Sequence, residues 1–309
     1  MKRSLAAPPG AIALAACVFL AYGETPPIEP PLMRMRAVAP PDSPEPGERL
    51  RLEVPGVPFL LFLPEGWAHA PPDRAAIHFH TPDWLAIGEH RRAGYRFPLV
   101  SIYLGAGSER YRVPFREAGP FERLMAEIEQ QLSRRQNRVV RLERLDVASF
   151  SAGYGAVREL VKQPAAFGRI RRIVLSDSLY GGLLAPDKAG GRRVVEPAHV
   201  DCWVPFVRAA MRCEKAFVVT HTQVVTPSYA STSECASALL AAVGVTSAPA
   251  APRLASAGDG DFPLLRRADA GCFHIWGYAG TNAAAHTSHA HHLADVWMAL
   301  DKTAFAVAH

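Results

Sequence analysis

The sequence predicts an α/β fold with a mostly parallel central sheet and helices on both faces. Short apolar runs typical of buried strands alternate along the chain with segments of helical spacing. This alternation is typical of parallel sheets, because parallel strands need long crossover connections that are usually helices. The 309 residues are 49% hydrophobic and 20% charged, which is enough to bury one large core. No internal repeat is visible, so we expect a single folded domain.

The predicted strands are short runs enriched in Val, Ile, Leu and Phe, with turn residues at their ends. They occupy 50–54, 58–63, 75–80, 97–104, 145–148, 170–175, 216–220 and 272–278. The predicted helices have apolar residues three and four positions apart among charged ones. They occupy 121–134, 154–160, 203–211, 229–243 and 289–307. Residues 248–270 are expected to form a loose connection, and about 179–215 a long insertion, a type of segment that is usually functional.

The charge distribution does not favour binding to nucleic acid. The chain has 34 Lys and Arg against 29 Asp and Glu, a formal net charge of +5. The arginines occur as scattered pairs such as Arg134-Arg135 and Arg171-Arg172 instead of one long basic run. A nucleic-acid groove needs positive charge clustered on one face. We therefore expect no nucleic-acid partner.

Residues 1–23 have the pattern of an export signal. Lys2 and Arg3 give a basic start, and 11–22 form an apolar run too short to span a bilayer. Ala21-Tyr22-Gly23 resembles a signal-peptidase site. Leu14-Ala15-Ala16-Cys17 resembles a lipoprotein box, in which Cys17 would carry a lipid anchor. The apolar continuation after this cysteine is atypical of lipoproteins, so simple secretion is slightly favoured. We expect a periplasmic, extracellular or membrane-anchored protein.

The proline-rich residues 24–47 lack apolar periodicity, which predicts an extended linker before a domain spanning 48–309. In an oxidising compartment the remaining cysteines would form an even set available for disulfides. They are Cys202, Cys213, Cys235 and Cys272, and they allow three pairings. Proximity along the chain favours Cys202 with Cys213, and free buried thiols are the alternative.

A candidate catalytic residue lies where the predicted strand 145–148 turns into the helix 154–160. The intervening Ser149-Phe150-Ser151-Ala152-Gly153 must make a tight bend, whose apex residue projects outward in a strained conformation. Ser151 fits this apex, with small residues two positions before and after it. The pattern resembles the nucleophile elbow of the α/β-hydrolase superfamily, with Ser149 replacing the first glycine of G-x-S-x-G. Ser149 itself is the alternative apex.

The resemblance implies a serine esterase or lipase-like enzyme in which an acid and then a histidine follow the nucleophile. For the histidine, the region after the last strand offers His286, with His289 as its main competitor. For the acid, the stretch after 216–220 contains no carboxylate before Glu234, which lies within a predicted helix. Asp177 directly follows the strand 170–175, at the sheet edge where ligands bind. We therefore expect Asp177 as the acid, with a turn-forming role as its alternative.

An acyl-transfer mechanism also needs two backbone N–H groups that bind the developing oxyanion. The resemblance implies Ala152 as one donor and Thr81 or Asp83, after the strand 75–80, as the other. At that bend the family usually has His-Gly, whereas here Thr81 follows the histidine. His80, Trp84 and Tyr180 are candidate substrate-binding residues, with core packing as the alternative for the two aromatic residues.

The expected substrate is a small-molecule, carbohydrate or lipid ester. No phosphate loop, dinucleotide-binding motif or haem motif occurs in the sequence, so we expect no cofactor. Two other functions remain open. His78 and His80, with Asp83, His286 and His289, are a possible set of zinc ligands for a metal-dependent hydrolase, although no H-E-x-x-H signature occurs. The departures at the oxyanion loop and the acid position also fit a non-catalytic, hydrolase-like binding protein.

Overall fold

The fold is built on one large sheet in which an antiparallel beginning leads into a parallel centre. The computed structural model describes residues 28–36, 40, 42–71, 73–185, 191–250 and 260–302. Its strands are β1 Met33–Arg34, β2 Gly47–Val54, β3 Val57–Pro64, β4 Arg74–Phe79, β5 Leu99–Ile102, β6 Arg144–Phe150, β7 Ile170–Ser176, β8 Ala216–His221, β9 Ala248–Pro249, β10 Asp261–Phe262, β11 Leu264–Ala270 and β12 Phe273–Tyr278. Its α-helices are α1 Asp83–Arg92, α2 Ser108–Arg112, α3 Ala118–Gln136, α4 Tyr154–Leu160, α5 Pro164–Arg169, α6 Ala198–Asp201, α7 Val204–Met211, α8 Thr232–Val243, α9 Ala283–His291 and α10 Leu293–Leu300.

The order of the strands decides which loops meet at the sheet edge. The large sheet runs β2-β3-β5-β4-β6-β7-β8-β12-β11-β9, and all neighbours from β5 to β12 pair in parallel. Strands β4, β6 and β7 therefore end side by side at the same edge. The loops that follow them contain His80, Ser151 and Asp177.

Buried apolar side chains cover both faces of this sheet. One cluster includes Trp203 and Phe206 from the helical insertion, and the other includes Trp276 and Trp297. Burial of such large side chains supplies the main favourable free energy of folding. The predicted α/β class is confirmed, and the order of the parallel strands agrees with the α/β-hydrolase plan that the sequence resemblance implies. The sheet is mixed instead of wholly parallel, since β2, β3, β9 and β11 pair antiparallel with their neighbours.

Several segments differ from the sequence-based expectation. Residues 248–270 are not entirely a loose connection, because β11 pairs antiparallel with β12. The charged Arg266 and Arg267 of β11 masked its strand character. The closing helix begins earlier than expected, at Ala283, and is interrupted at His292, which has φ −116°. The helices α1, α2 and α5 were not predicted.

Part of the predicted proline-rich linker packs against the domain. Ile28 and Met33 are buried, and Met33 pairs with Phe262 in a short antiparallel ladder. This segment is therefore not a free tether, because its apolar side chains join the cluster that contains Trp276. The expected signal segment 1–23 and its Cys17 lie outside the described residues. Among the described helices, none is both long and apolar enough to cross a bilayer.

The disulfide differs from the pairing favoured by proximity along the chain. Cys213 bonds to Cys272, with 5.0 Å between their Cα atoms, while Cys202 and Cys235 form no disulfide within the described part of the chain. Cys202 packs with the apolar cluster on one face of the sheet, and Cys213 packs with the cluster on the other. The expected bond between Cys202 and Cys213 is thus wrong, because their side chains point to opposite faces.

Removing this disulfide is expected to lower the free energy of unfolding by about 4 kcal/mol. The bond closes a loop with a sequence separation of 59, which restricts the unfolded chain. The measurement is urea unfolding of the wild type and of a Cys213→Ala, Cys272→Ala double variant. Cys202→Ala, which removes a free thiol, is the control and should retain wild-type sensitivity to reductant. A double variant as stable as the wild type would contradict the expectation.

Candidate active site

The structure places Ser151 at the apex of a sharp turn between β6 and α4. Its φ is +48°, in the left-handed region that non-glycine residues rarely adopt. Residues Ser151–Gly153 form a single 3-10 turn that leads directly into α4. The side chain of Ser151 lines a cavity, in agreement with the expected elbow geometry.

Gly153 permits the turn to approach the neighbouring strand. A Cβ atom at this position would lie 2.6 Å from the carbonyl oxygen of Phe79, at the end of β4. Gly155 shows a similar close approach, because a Cβ atom at this position would overlap the carbonyl oxygen of Ser108. The end of β4, from which the following loop continues, therefore lies next to the first N–H groups of the turn. These N–H groups have no acceptor within the helix.

Gly153→Ala is expected to displace the end of β4 and to lower kcat/KM by about 100-fold, since small misplacements of catalytic groups have effects of this size. The measurement is hydrolysis of a p-nitrophenyl ester, together with the unfolding midpoint. Gly168→Ala is the matched control, because a Cβ there meets no atom within 4 Å. Unchanged activity of Gly153→Ala would show that the close approach is not needed.

Ser149 supports the turn instead of forming its apex. It is buried, and its hydroxyl lies 2.8 Å from the hydroxyl of Ser178. Ser178 in turn donates a hydrogen bond of 2.8 Å to the carbonyl oxygen of Ser151. These contacts tie the elbow to the loop that follows β7.

Asp177 and His286 are brought together across 109 positions of the sequence. Asp177 follows β7 with a φ of +42°, and its carboxylate accepts a 2.6 Å hydrogen bond from Nδ1 of His286. Asn282 caps the start of α9 by accepting from the backbone N–H of Ala285, which places His286 in the first turn. The His286 ring lies 4.6 Å from that of Phe150, the residue before Ser151. Its side chain is 21% exposed, so its second nitrogen can face the site.

Four hydrogen bonds hold the Asp177 carboxylate in its ionised form. Besides His286, it accepts from the backbone N–H and the hydroxyl of Thr222, at 3.1 and 2.9 Å, and from the hydroxyl of Thr232 at 2.5 Å. Complete burial by itself raises the pKa of Asp177. The hydrogen bond from His286, the fields of His289 and His286 and the Thr232 hydroxyl outweigh burial and hold this pKa well below its usual range.

His289 occupies a different environment from His286. It is fully buried, its Nδ1 lies 2.7 Å from the Thr220 hydroxyl, and its ring packs edge-on against Tyr278. Burial and neighbouring histidines lower its pKa to about 4. The structure therefore brings His286, and not His289, into contact with Asp177.

The loop after β4 contains Thr81 and Asp83, the two residues expected to supply the second oxyanion donor. His80 has a φ of +62° and is fixed by a 2.8 Å hydrogen bond between its Nδ1 and the Tyr111 hydroxyl. Burial and the field of His286 lower the pKa of His80. Thr81 is buried, whereas the Asp83 carboxylate accepts from the Ser101 hydroxyl at 2.8 Å. Of the two alternatives, Thr81 is closer along the chain to Phe79, whose carbonyl oxygen approaches Gly153.

A cavity of about 800 Å³ opens beside Ser151. It is also lined by Ala152, His80 and Tyr180, three of the residues expected at the site. Tyr180 packs 5.6 Å from Tyr154, and this pair forms an aromatic wall. Trp84 is not part of this cavity, because α1 carries it into a separate one of about 650 Å³ next to Tyr103.

The histidines proposed as metal ligands do not converge. His78 is fully buried, 6.5 Å from the ring of His90, and neither of its ring nitrogens has a hydrogen-bond partner among the residues that the structure describes. Burial lowers the pKa of His78 to about 3 and that of His90 to about 4. Within the described part of the chain, no group of three or more His, Cys, Asp or Glu residues could hold a metal ion.

Sequence reasoning missed the residues that orient the predicted ones. Thr222 directly follows β8, so the strand-end criterion used for Asp177 would also have found it. Thr232 lies in the first turn of α8, and Phe150 and Tyr111 contact the two histidines from separate elements. No sequence signal indicates these three contacts, because they depend on how distant elements pack.

No family model matches the sequence, and no curated protein matches it. Solved structures similar to this chain include the feruloyl esterase module from Clostridium thermocellum, with 12% identity, a TM-score of 0.47 and coverage of 89% of this chain and 96% of that one. An S-formylglutathione hydrolase from Agrobacterium tumefaciens has 11% identity, a TM-score of 0.40 and coverage of 79% and 89%. An enterobactin esterase from Shigella flexneri has 13% identity, a TM-score of 0.48 and coverage of 84% of this chain but 60% of that one. At these identities, no residue role is transferred from those proteins.

Proposed function

We propose that this protein is a serine hydrolase that cleaves carboxylic esters through an acyl-enzyme on Ser151. The supporting observation is the arrangement at the ends of two neighbouring strands. Ser151 occupies a left-handed turn after β6, and the buried Asp177 after β7 holds Nδ1 of His286 at 2.6 Å. A serine hydroxyl needs a base to remove its proton, and the base needs a group that fixes its tautomer.

In the first half-reaction, Nε2 of His286 takes the proton from the hydroxyl of Ser151 as the oxygen bonds to the ester carbonyl carbon. The carbonyl oxygen becomes an oxyanion and accepts hydrogen bonds from the backbone N–H groups of Ala152 and Thr81. Asp177 stabilises the charge that forms on the imidazole. The bond to the leaving alcohol then breaks, and His286 returns the proton to that oxygen.

In the second half-reaction, water replaces the alcohol. His286 removes a proton from the water as its oxygen bonds to the acyl carbon. The bond to Ser151 breaks and the serine oxygen recovers its proton from His286, which releases the carboxylic acid. No cofactor takes part in this sequence of steps.

The function is tested by active-site labelling and by substrate hydrolysis with the purified protein. A fluorophosphonate probe is expected to label the folded protein at Ser151, as located by peptide mapping, and p-nitrophenyl acyl esters are expected to be hydrolysed. Heat-unfolded protein is the control for non-specific labelling. Absence of both labelling and hydrolysis would contradict the proposal and favour a non-catalytic, hydrolase-like binding protein.

We also propose that the chain is exported, on the basis of its basic N-terminus and short apolar run. Cell fractionation and the mass of the mature N-terminus test this proposal. Cleavage after Gly23 indicates secretion, whereas a lipid on Cys17 indicates membrane anchoring. An intact N-terminus on a cytoplasmic protein would contradict both forms of export.

A further inference from the structure

The cavity beside Ser151 contains a buried arginine that forms no ion pair with any carboxylate of the described residues. Arg158 lines this cavity and is 7% exposed. Within the described residues its guanidinium makes no hydrogen bond or ion pair, and its Nε is enclosed. The guanidinium carbon lies 5.2 Å from the centre of the Tyr154 ring. Removing a charge from water without a compensating partner is costly, so a buried unpaired cation in a cavity indicates an anionic ligand.

The other cationic side chains that line the cavity are already neutralised. Arg112 pairs with Glu109 through two hydrogen bonds, and Lys162 lies 2.9 Å from the carboxylate of Glu159. Among the described residues that line the cavity, these pairs leave the charge of Arg158 available to a ligand. Its field lowers the pKa of His199, another lining residue, after the larger effect of burial.

Arg158 lies one helical turn beyond Tyr154 on α4, which places these two side chains on the same face of the helix. Ser151 precedes α4, at the apex of the turn, and lines the same cavity as Tyr154 and Arg158. Tyr154 lies between Ser151 and Arg158 in the sequence and packs against Tyr180. A ligand that reaches from Ser151 to Arg158 therefore passes an aromatic wall.

We propose that Arg158 binds a carboxylate carried by the ester substrate, at the far end of an apolar or aromatic spacer. The guanidinium matches a carboxylate through two parallel hydrogen bonds, which gives orientation as well as affinity. The apolar spacer lies along Tyr154 and Tyr180. This inference rests on the proposed function of Ser151, and it names the substrate class of that site.

Kinetics with matched esters test the proposal. On the acyl side, p-nitrophenyl half-esters of succinic, adipic and suberic acids are compared with neutral acyl esters of equal length. On the alcohol side, 4-acetoxybenzoate is compared with 4-acetoxytoluene. We expect one series to show a preference for the carboxylated ester in kcat/KM, which Arg158→Gln lowers by about 10- to 100-fold. The readout is the ratio of kcat/KM for the carboxylated ester to that for the neutral ester, because a general effect of the substitution changes both values alike and cancels in the ratio. Absence of an Arg158-dependent preference in both series would overturn the proposal.

Binding to an inactive protein separates this proposal from that of the reaction. The dissociation constant of monomethyl adipate is expected to be at least about tenfold lower for Ser151→Ala than for the Ser151→Ala, Arg158→Gln double variant. For Ser151→Ala, this constant should rise with salt concentration. Equal binding by both would overturn the carboxylate site even if esters are hydrolysed. Arg158-dependent binding without labelling of Ser151 would support the site while contradicting the hydrolase.

Two controls exclude a general effect of the substitution. Arg208→Gln makes the same chemical change at an exposed position on α7 and should leave the preference for carboxylated esters unchanged. Arg158→Gln removes an unpaired buried charge, so its unfolding midpoint should equal or exceed that of the wild type. An equal loss of preference in Arg208→Gln would attribute the effect to net charge and contradict a specific site.

Discussion

Ser151→Ala is expected to lower kcat for ester hydrolysis by about 10⁶-fold, because the covalent step loses its nucleophile. The fluorophosphonate probe should no longer label the protein. Both are measured with p-nitrophenyl esters on protein whose unfolding midpoint is unchanged or raised. An unchanged fold is expected because alanine keeps the Cβ of the strained turn and the backbone carbonyl that accepts from Ser178.

Ser149→Ala is the matched control for this variant. Its hydroxyl bonds to Ser178 and does not line the cavity, so a loss of about tenfold or less is expected. Comparable losses in both variants would show that the elbow as a whole, and not the Ser151 oxygen, is needed. Full activity of Ser151→Ala would contradict the acyl-enzyme mechanism.

Asp177→Asn is expected to lower kcat by about 10⁴-fold, since an asparagine in this role favours the wrong tautomer of the histidine. The Asp177 carboxylate accepts from donors on Thr222, Thr232 and His286. The amide of asparagine replaces one of the accepting oxygens with an N–H donor. This N–H group would face the donors of Thr222, Thr232 and His286 and would find no acceptor among them. The measurement is the rate of ester hydrolysis together with the rate of fluorophosphonate labelling, and both should fall.

The same variant is expected to change how stability depends on pH. Since the folded-state pKa of Asp177 lies below its unfolded value of about 3.9, ionised Asp177 stabilises the fold above that pH. This stabilisation is lost as pH falls through the folded-state pKa. Asp177→Asn should therefore be less stable than the wild type at neutral pH, and the difference should narrow below about pH 4.

Asp269→Asn provides the matched control for Asp177→Asn. Its carboxylate lies 2.7 Å from Nδ1 of His274, which reproduces the aspartate–histidine contact between β11 and β12. Neither residue lines the cavity beside Ser151. Ester hydrolysis should remain at the wild-type rate. A loss equal to that of Asp177→Asn would show that any such pair is needed for the fold and contradict a specific role for Asp177.

The sequence alone predicted the elements that depend on local pattern. The apolar runs located the strands from β2 to β8, and the serine-containing bend lies where the periodicity changes from strand to helix. Strand β11 was missed because Arg266, Arg267 and Asp269 interrupt its apolar residues, and it acquires its conformation by pairing with β12. The packing of Ile28 and Met33 was missed for a related reason, since proline-rich composition does not reveal a distant apolar contact.

Contacts between distant segments were decided only by the tertiary structure. His286 and His289 are three positions apart on one helix, and the sequence favoured His286 only slightly, yet one contacts Asp177 and the other Thr220. The partner of Cys213 likewise depends on which face of the sheet each cysteine reaches. Local bends and strand ends are set by neighbouring residues, whereas hydrogen-bond partners and the unpaired charge of Arg158 depend on how separate elements pack. The sequence by itself therefore determined the fold class and the position of Ser151, and tertiary packing decided which groups surround it.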